Sequence, residues 1–227
     1  MARVVAPDLP GHGPRGGRGG QSIAAYGEWL ADFLEALGAG RVVLAGHSMG
    51  GAIAQTLALA RPERLAGLIL VGTGARLRVL VRILELLREH PVEGQSLIQG
   101  LSYAAGTLRE RVAVADRVLR EAAPLVTLGD YLACDRFDVR ERLGEIRTPT
   151  LVVTGTEDRL TPLKYGRFLA EAIPGARLVE VAGAGHFPQL EQPESVNGAI
   201  REFLGVLAAA AGAAAAAPVA RATRPGP

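Results

Sequence analysis

Apolar residues at Ile23, Tyr26, Leu30, Phe33, Leu34 and Leu37 recur at three- and four-residue intervals, the rhythm of a helix with one buried face. Ser22 stands where a helix cap belongs, and Gly38 and Gly40 follow the last apolar position. The rhythm then changes. Arg41 to Ala45 is an almost unbroken apolar run, as in a strand covered on both faces, and it leads through Gly46-His47-Ser48-Met49-Gly50-Gly51 into a helix from about Gly50 to Ala60 that stops before Pro62. Leu65 to Val71 is a second such strand, closed by Gly72 and Gly74. Pro149 to Gly155 is a third, followed by a helix from Pro162 to Ile173, a strand from Arg177 to Val181 and a closing helix from Pro193. Strands alternating with helices predict an α/β fold with a mostly parallel sheet and flanking helices.

Two stretches break the alternation. Residues 75–147 contain helical segments rich in arginine (Arg76, Arg78, Arg82, Arg88, Arg109, Arg111, Arg117, Arg120) with no convincing strand, which predicts a helical insertion. This divides the chain into a core of residues 1–74 and 148–207 and an insertion of residues 75–147. Residues 208–227, alanine followed by Pro, Gly and Arg, bury too little side chain to order themselves and are expected to form a disordered tail. At the other end, Arg3-Val4-Val5-Ala6-Pro7 predicts a short strand running into the turn residues Asp8 to Gly13.

Composition narrows the function classes. In 227 residues, 25 basic and 23 acidic side chains leave a net charge of +2, too weak a field to predict nucleic-acid or membrane binding. No apolar run reaches the roughly 18 residues of a spanning helix, and the first residues lack the layout of a signal peptide. A single cysteine, Cys134, can make neither an internal disulfide nor a thiolate zinc site. A cytoplasmic protein with no metal and no organic cofactor is the expectation; the oligomeric state is left open.

Candidate chemistry centres on Gly46-His47-Ser48-Met49-Gly50, a Gly-x-Ser-x-Gly motif set between a buried strand and a helix. Such a turn is sharp enough that side chains at 46 and 50 would collide with the neighbouring strand and helix, and it lifts the serine hydroxyl to the carboxyl edge of the sheet. Ser48 is the candidate nucleophile. The Met49 backbone N–H, at a helix N-terminus, is a candidate oxyanion-hole donor.

A serine hydroxyl needs a base. His186 lies in Gly183-Ala184-Gly185-His186-Phe187-Pro188, just past the last strand, where it can reach the sheet edge. His12, His47 and His90 are expected to be structural or solvated. The orienting acid should follow an earlier strand, and Asp158 in Gly155 to Pro162 fits; Glu157 is its rival, and capping of the next helix is the competing role for Asp158. The chain order is then Ser, Asp, His.

With Asp8 to Gly13, the elbow at Gly46 to Gly51, the acid loop Gly155 to Pro162 and Gly183 to Glu191, residues 3–206 resemble the α/β-hydrolase superfamily. The resemblance is to the branch of 3-oxoadipate enol-lactonases, small carboxylesterases and cofactor-free haloperoxidases. It implies the α/β-hydrolase fold, a catalytic triad of Ser48, Asp158 and His186, and a helical lid at 75–147 whose Leu77, Leu80, Ile83, Leu84 and Leu87 would wall an acyl pocket. It also implies about three strands ahead of the one resembled by Arg3 to Pro7, and a His-Gly turn completing the oxyanion hole. The expectation is an N-terminally truncated reading of a longer gene, unless Val4-Val5 moves into the vacant strand position. The expected activity is hydrolysis of a small carboxylic ester or lactone through an acyl-serine. A cofactor-free perhydrolase or haloperoxidase, and a catalytically silent fold, are the alternatives.

Overall fold

A computed structural model describes residues 3–13 and 16–216. In chain order it runs α1 (Ile23–Ala36), β1 (Val42–His47), α2 (Met49–Ala60), β2 (Leu65–Val71), α3 (Val81–Glu89), α4 (Pro91–Ser102), α5 (Arg109–Glu121), α6 (Pro124–Arg136), β3 (Thr150–Gly155), α7 (Leu163–Ala172), β4 (Arg177–Val181), α8 (Pro188–Glu191) and α9 (Pro193–Ala216). Ser22 caps α1, its hydroxyl accepting from the Ala25 amide at 3.1 Å.

The strands form a parallel sheet in the order β1-β2-β3-β4, with Leu44 opposite Leu68, Leu70 opposite Val152 and Val153 opposite Val179. The unbroken apolar sequences of β2 and β3 follow from burial on both faces, whereas β1, expected to be covered on both faces, leaves Val43 and Ala45 exposed, and β4 carries the exposed Arg177 and Glu180. Leu68, Leu70 and Val152 point to a core completed by Tyr26, Leu30, Ile53, Leu57, Leu169 and Ile173, which belong to α1, α2, α7 and the end of α7. The alternate residues Ile69, Val71, Leu151 and Val153 pack with Val196 and Phe203 of α9. Period-two alternation thus divides the buried residues of β2 and β3 between two helix layers.

Between β2 and β3, helices α3, α4 and α6 share a separate cluster built on Ile83, Leu87 and Ile98, against which Leu160 of the loop after β3 packs. The two ends of this excursion meet: Arg76 bridges Asp138, and the Val139 amide donates to the Ala75 carbonyl at 2.8 Å. The four helices therefore leave and rejoin the sheet at one place.

Two expectations are corrected. Arg3 to Pro7 is not a strand, and Val4 is 88% exposed. A strand needs a paired edge before β-branched residues stabilise it, and among the described residues this segment pairs with no strand. Among the described residues β1 pairs on one side only, with β2. Second, the chain does not lose order at Ala208: α9 continues to Ala216, alanine being the residue that loses least on entering a helix. The remainder of the expected tail, residues 217–227, lies outside the described residues.

Candidate active site

β1 ends at His47 and α2 begins at Met49, so the chain reverses within Ser48 alone. Ser48 has φ 52° and ψ −117°, the one positive φ at a non-glycine position among the described residues. A backbone strained this way costs of order 1–3 kcal/mol and persists because its surroundings fix it. The Ser48 amide donates to the Val71 carbonyl at 3.0 Å, and the Ser48 carbonyl accepts from the Thr73 hydroxyl at 2.8 Å and the Gly51 amide at 2.9 Å.

The steric demand falls differently from the expectation. A Cβ at position 46 would lie 2.2 Å from the Gly50 carbonyl oxygen, whereas one at position 50 meets nothing within 4 Å. The second tight position is 51, where a Cβ would lie 2.5 Å from the Thr73 side chain. Gly46 and Gly51 let β1, α2 and the end of β2 close on one another.

Three side chains distant in sequence meet at this turn. The Ser48 hydroxyl lies 2.9 Å from His186 Nε2, and His186 Nδ1 lies 2.9 Å from Asp158 Oδ2. A neutral imidazole with its proton on Nδ1 satisfies both contacts: Nδ1–H donates to the carboxylate and Nε2 accepts from the hydroxyl. His186 and Asp158 are 4% and 5% exposed. Asp158 Oδ1 accepts from the Leu160 and Thr161 amides, each at 2.8 Å, and the Thr161 hydroxyl donates to Oδ2 at 2.7 Å. Burial pushes the Asp158 carboxyl upward, but the hydrogen bonds from His186 and Thr161 outweigh it and leave it below its ordinary value. A buried carboxylate with this many donors remains an anion beside the imidazole.

The rival carboxylate is placed elsewhere: Glu157 is exposed, and its amide is tied to the Ala184 carbonyl at 2.9 Å. Met49 opens α2. Its N–H is one of the first-turn amides that no helical carbonyl can reach, and it is presented at the positive end of the helix beside Ser48. The four leucines and one isoleucine expected to line one apolar wall are divided. Leu77 joins the main core, Ile83 and Leu87 join the cluster among α3, α4 and α6, and Leu80 is 57% exposed. No group of three or more His, Cys, Asp or Glu side chains among the described residues could hold a metal ion, and no helix there is long and apolar enough to cross a membrane.

Three residues inside the quoted motifs had no role assigned to them from sequence. Thr161 lies three residues past Asp158, the spacing at which a loop can fold back on its own carboxylate, and only that spacing could have pointed to it. His12, expected to be structural or solvated, places Nε2 2.9 Å from Asp130 Oδ2 while Tyr26 donates to Asp130 Oδ1 at 2.6 Å, joining the early turn, α1 and α6. The hydrogen bond with Asp130 raises the His12 pKa.

His47 is half-buried. Its Nε2 donates to the His186 carbonyl at 2.7 Å, and its ring packs against His186 and Phe187 with centroids 4.8 Å and 4.6 Å away. Burial, reinforced by His186, lowers its pKa to about 3. An unfolded histidine titrates near 6.5, so as pH falls from about 6.5 towards 3 the unfolded chain takes up a proton that the folded one refuses, and stability declines. His47→Gln, which keeps an N–H donor, is expected to flatten that decline by up to about 1.4 kcal/mol per pH unit in urea unfolding. Parallel stability curves for the two proteins would contradict it.

The strand–turn–helix elbow and the layered parallel sheet define an α/β hydrolase. Residues 2–199 match the model of the alpha/beta hydrolase family, and the chain belongs to that family. It is 33% identical over 220 residues to a 2-hydroxy-6-oxononadienedioate/2-hydroxy-6-oxononatrienedioate hydrolase of Cupriavidus pinatubonensis, a match covering 89% of this chain and 76% of the relative. Among solved structures it is similar to a thermophilic esterase, with 39% identity, a TM-score of 0.80, and 88% of this chain and 79% of the other covered. It is also similar to the enol-lactonase from Burkholderia xenovorans, with 27% identity, a TM-score of 0.77, and 87% and 79% covered. The protein is an α/β-fold hydrolase.

Proposed function

We propose that this hydrolase cleaves a small carboxylic ester or lactone through an acyl-Ser48 intermediate, with His186 as base and Asp158 as the acid that orients it. The observation that carries the reading is the continuous hydrogen-bonded chain from the Ser48 hydroxyl through His186 to Asp158 at a strained elbow. His186 Nε2 takes the hydroxyl proton as Oγ bonds to the substrate carbonyl carbon. The carbonyl oxygen becomes an oxyanion facing the Met49 N–H. Collapse breaks the acyl–oxygen bond, and the leaving alkoxide takes the proton from Nε2. Water, deprotonated by the same nitrogen, then attacks the acyl carbon, and Ser48 recovers its proton as the acid departs. None of these steps calls on a metal or organic cofactor.

The esterase and the enol-lactonase among its structural relatives support an oxygen leaving group. In this reading residues 1–74 and 148–207 are the hydrolase core and residues 75–147 the lid over it, with cytoplasmic residence suggested by composition alone. Turnover of p-nitrophenyl acetate and of a small lactone by the full chain tests it. Release of p-nitrophenol that depends on Ser48 is the expected result. Bromination in acetate, peroxide and bromide without ester turnover would replace it with a perhydrolase, and no turnover of any of these substrates with a silent fold.

A further inference from the structure

His186 is a loop residue, yet its backbone is held on every side. The His186 amide donates to the Ser102 carbonyl at 2.7 Å, and the His186 carbonyl accepts from His47. The amides on either side, those of Gly185 and Phe187, both donate to Glu191 Oε1, at 3.0 Å and 3.1 Å. The second oxygen of the same carboxylate, Oε2, accepts from the Ala104 amide at 2.9 Å and from the Thr107 hydroxyl. Glu191 is 3% exposed. Its own carbonyl accepts from Arg111 of α5 at 2.7 Å.

A buried carboxylate is costly unless its lone pairs are filled, and four donors fill these. The arrangement divides by oxygen: Oε1 serves the two peptides flanking His186, and Oε2 serves the α4–α5 connection. Asp158 and Ser48 fix the imidazole at its two nitrogens, but neither fixes the peptide from which the ring hangs. A glycine-flanked loop, Gly183-Ala184-Gly185, has little stiffness of its own.

We propose that Glu191 is a positioning residue for His186, and that it locks the segment 102–107 to the base so that the two move as one unit. This rests on the reading of His186 as the general base. A misplacement of about 1 Å at a reacting group can cost on the order of 10²-fold in rate. Losing the carboxylate should therefore appear in kcat while substrate binding is preserved. In Glu191→Gln one oxygen becomes an NH₂ that faces donors on whichever side it takes, so either the His186 loop or the 104–107 segment loses its acceptor.

The test compares the full chain with Glu191→Gln and Thr107→Val, well below the unfolding midpoint of each. It measures kcat and KM for p-nitrophenyl acetate and the downfield proton NMR signal of His186 Nδ1–H. For Glu191→Gln the expected result is a fall in kcat of about tenfold to a hundredfold with little change in KM, and a broadened or lost Nδ1–H signal. Thr107→Val, which leaves the carboxylate in place and removes only one tie to the 102–107 segment, should lose several-fold in kcat with KM again unchanged. Wild-type kcat and an unaltered signal in Glu191→Gln would overturn the proposal. Should Glu191→Gln fail to fold, wild-type kcat in Thr107→Val would overturn it. If the wild-type chain turns over no ester, the hydrolytic reading fails, and the Nδ1–H signal alone decides whether Glu191 holds the histidine.

Discussion

Ser48→Ala is expected to lower kcat for p-nitrophenyl acetate by on the order of 10⁶-fold while leaving the protein folded, because an acyl intermediate cannot form without the alcohol. The substitution is nearly silent for structure. What secures the turn is backbone: the amide bonded to Val71, and the carbonyl bonded to Thr73 and Gly51, all of which alanine retains. The positive φ is as strained for alanine as for serine. The hydroxyl's hydrogen bond runs to His186 Nε2, so its removal changes stability by about 1 kcal/mol or less. The variant separates chemistry from folding: unfolding curves should nearly coincide while rates diverge. Activity within about tenfold of wild type would place the nucleophile elsewhere.

Asp158→Asn should cost about 10⁴-fold in kcat, and Glu157→Gln next to nothing. In the asparagine variant the amide oxygen can still accept from the Leu160 and Thr161 amides that now bond Oδ1, which turns the NH₂ towards His186 Nδ1. Nδ1 must then accept, the ring proton moves to Nε2, and the nitrogen facing Ser48 can no longer take its proton. The loop is preserved and the tautomer is wrong. Glu157 differs because its side chain is exposed, and its hydrogen bond to Ala184 runs from the backbone amide. Steady-state kinetics on both variants check the ranking, and a larger loss for Glu157→Gln would reverse the assignment.

Much of this arrangement was legible along the chain because it depends on local rules. Leu65 to Val71 reads as a strand covered on both faces, and the structure shows its alternate residues entering two different cores. Ser48, Asp158 and His186 each follow a strand in sequence, and in a parallel sheet such loops share one edge, which is why their side chains meet. What failed depends on neighbours. Val4 and Val5 have strand propensity, but propensity without a paired edge leaves them exposed and outside the sheet. Gly50 was assigned a steric role because of the motif, and only the approach of Thr73 from the end of β2 shows that Gly51 carries it instead. Leu80 and Leu87 share an apolar pattern, yet one faces solvent and the other a helix cluster, a division fixed by how α3 lies on α4 and α6.

Glu191 and His47 show the same limit more sharply. A glutamate five residues after a histidine has no chemical signature in sequence, since its four donors come from segments as far apart as Ala104 and Phe187. His47 looked incidental beside Ser48. Its burial and its bond to the His186 carbonyl emerge only once β1 and the loop after β4 are side by side. Both bond the backbone at His186, and His47 packs against its ring as well, contacts that a motif of three side chains omits.

A fluorophosphonate probe followed by peptide mapping addresses the central claim most directly, because it forms a stable bond only with an activated serine. If His186 draws the proton from Ser48, the chain should carry a single adduct, on the Ser48 peptide, and His186→Ala should react slower by orders of magnitude. An adduct on another serine, or equal labelling of wild type and His186→Ala, would contradict it.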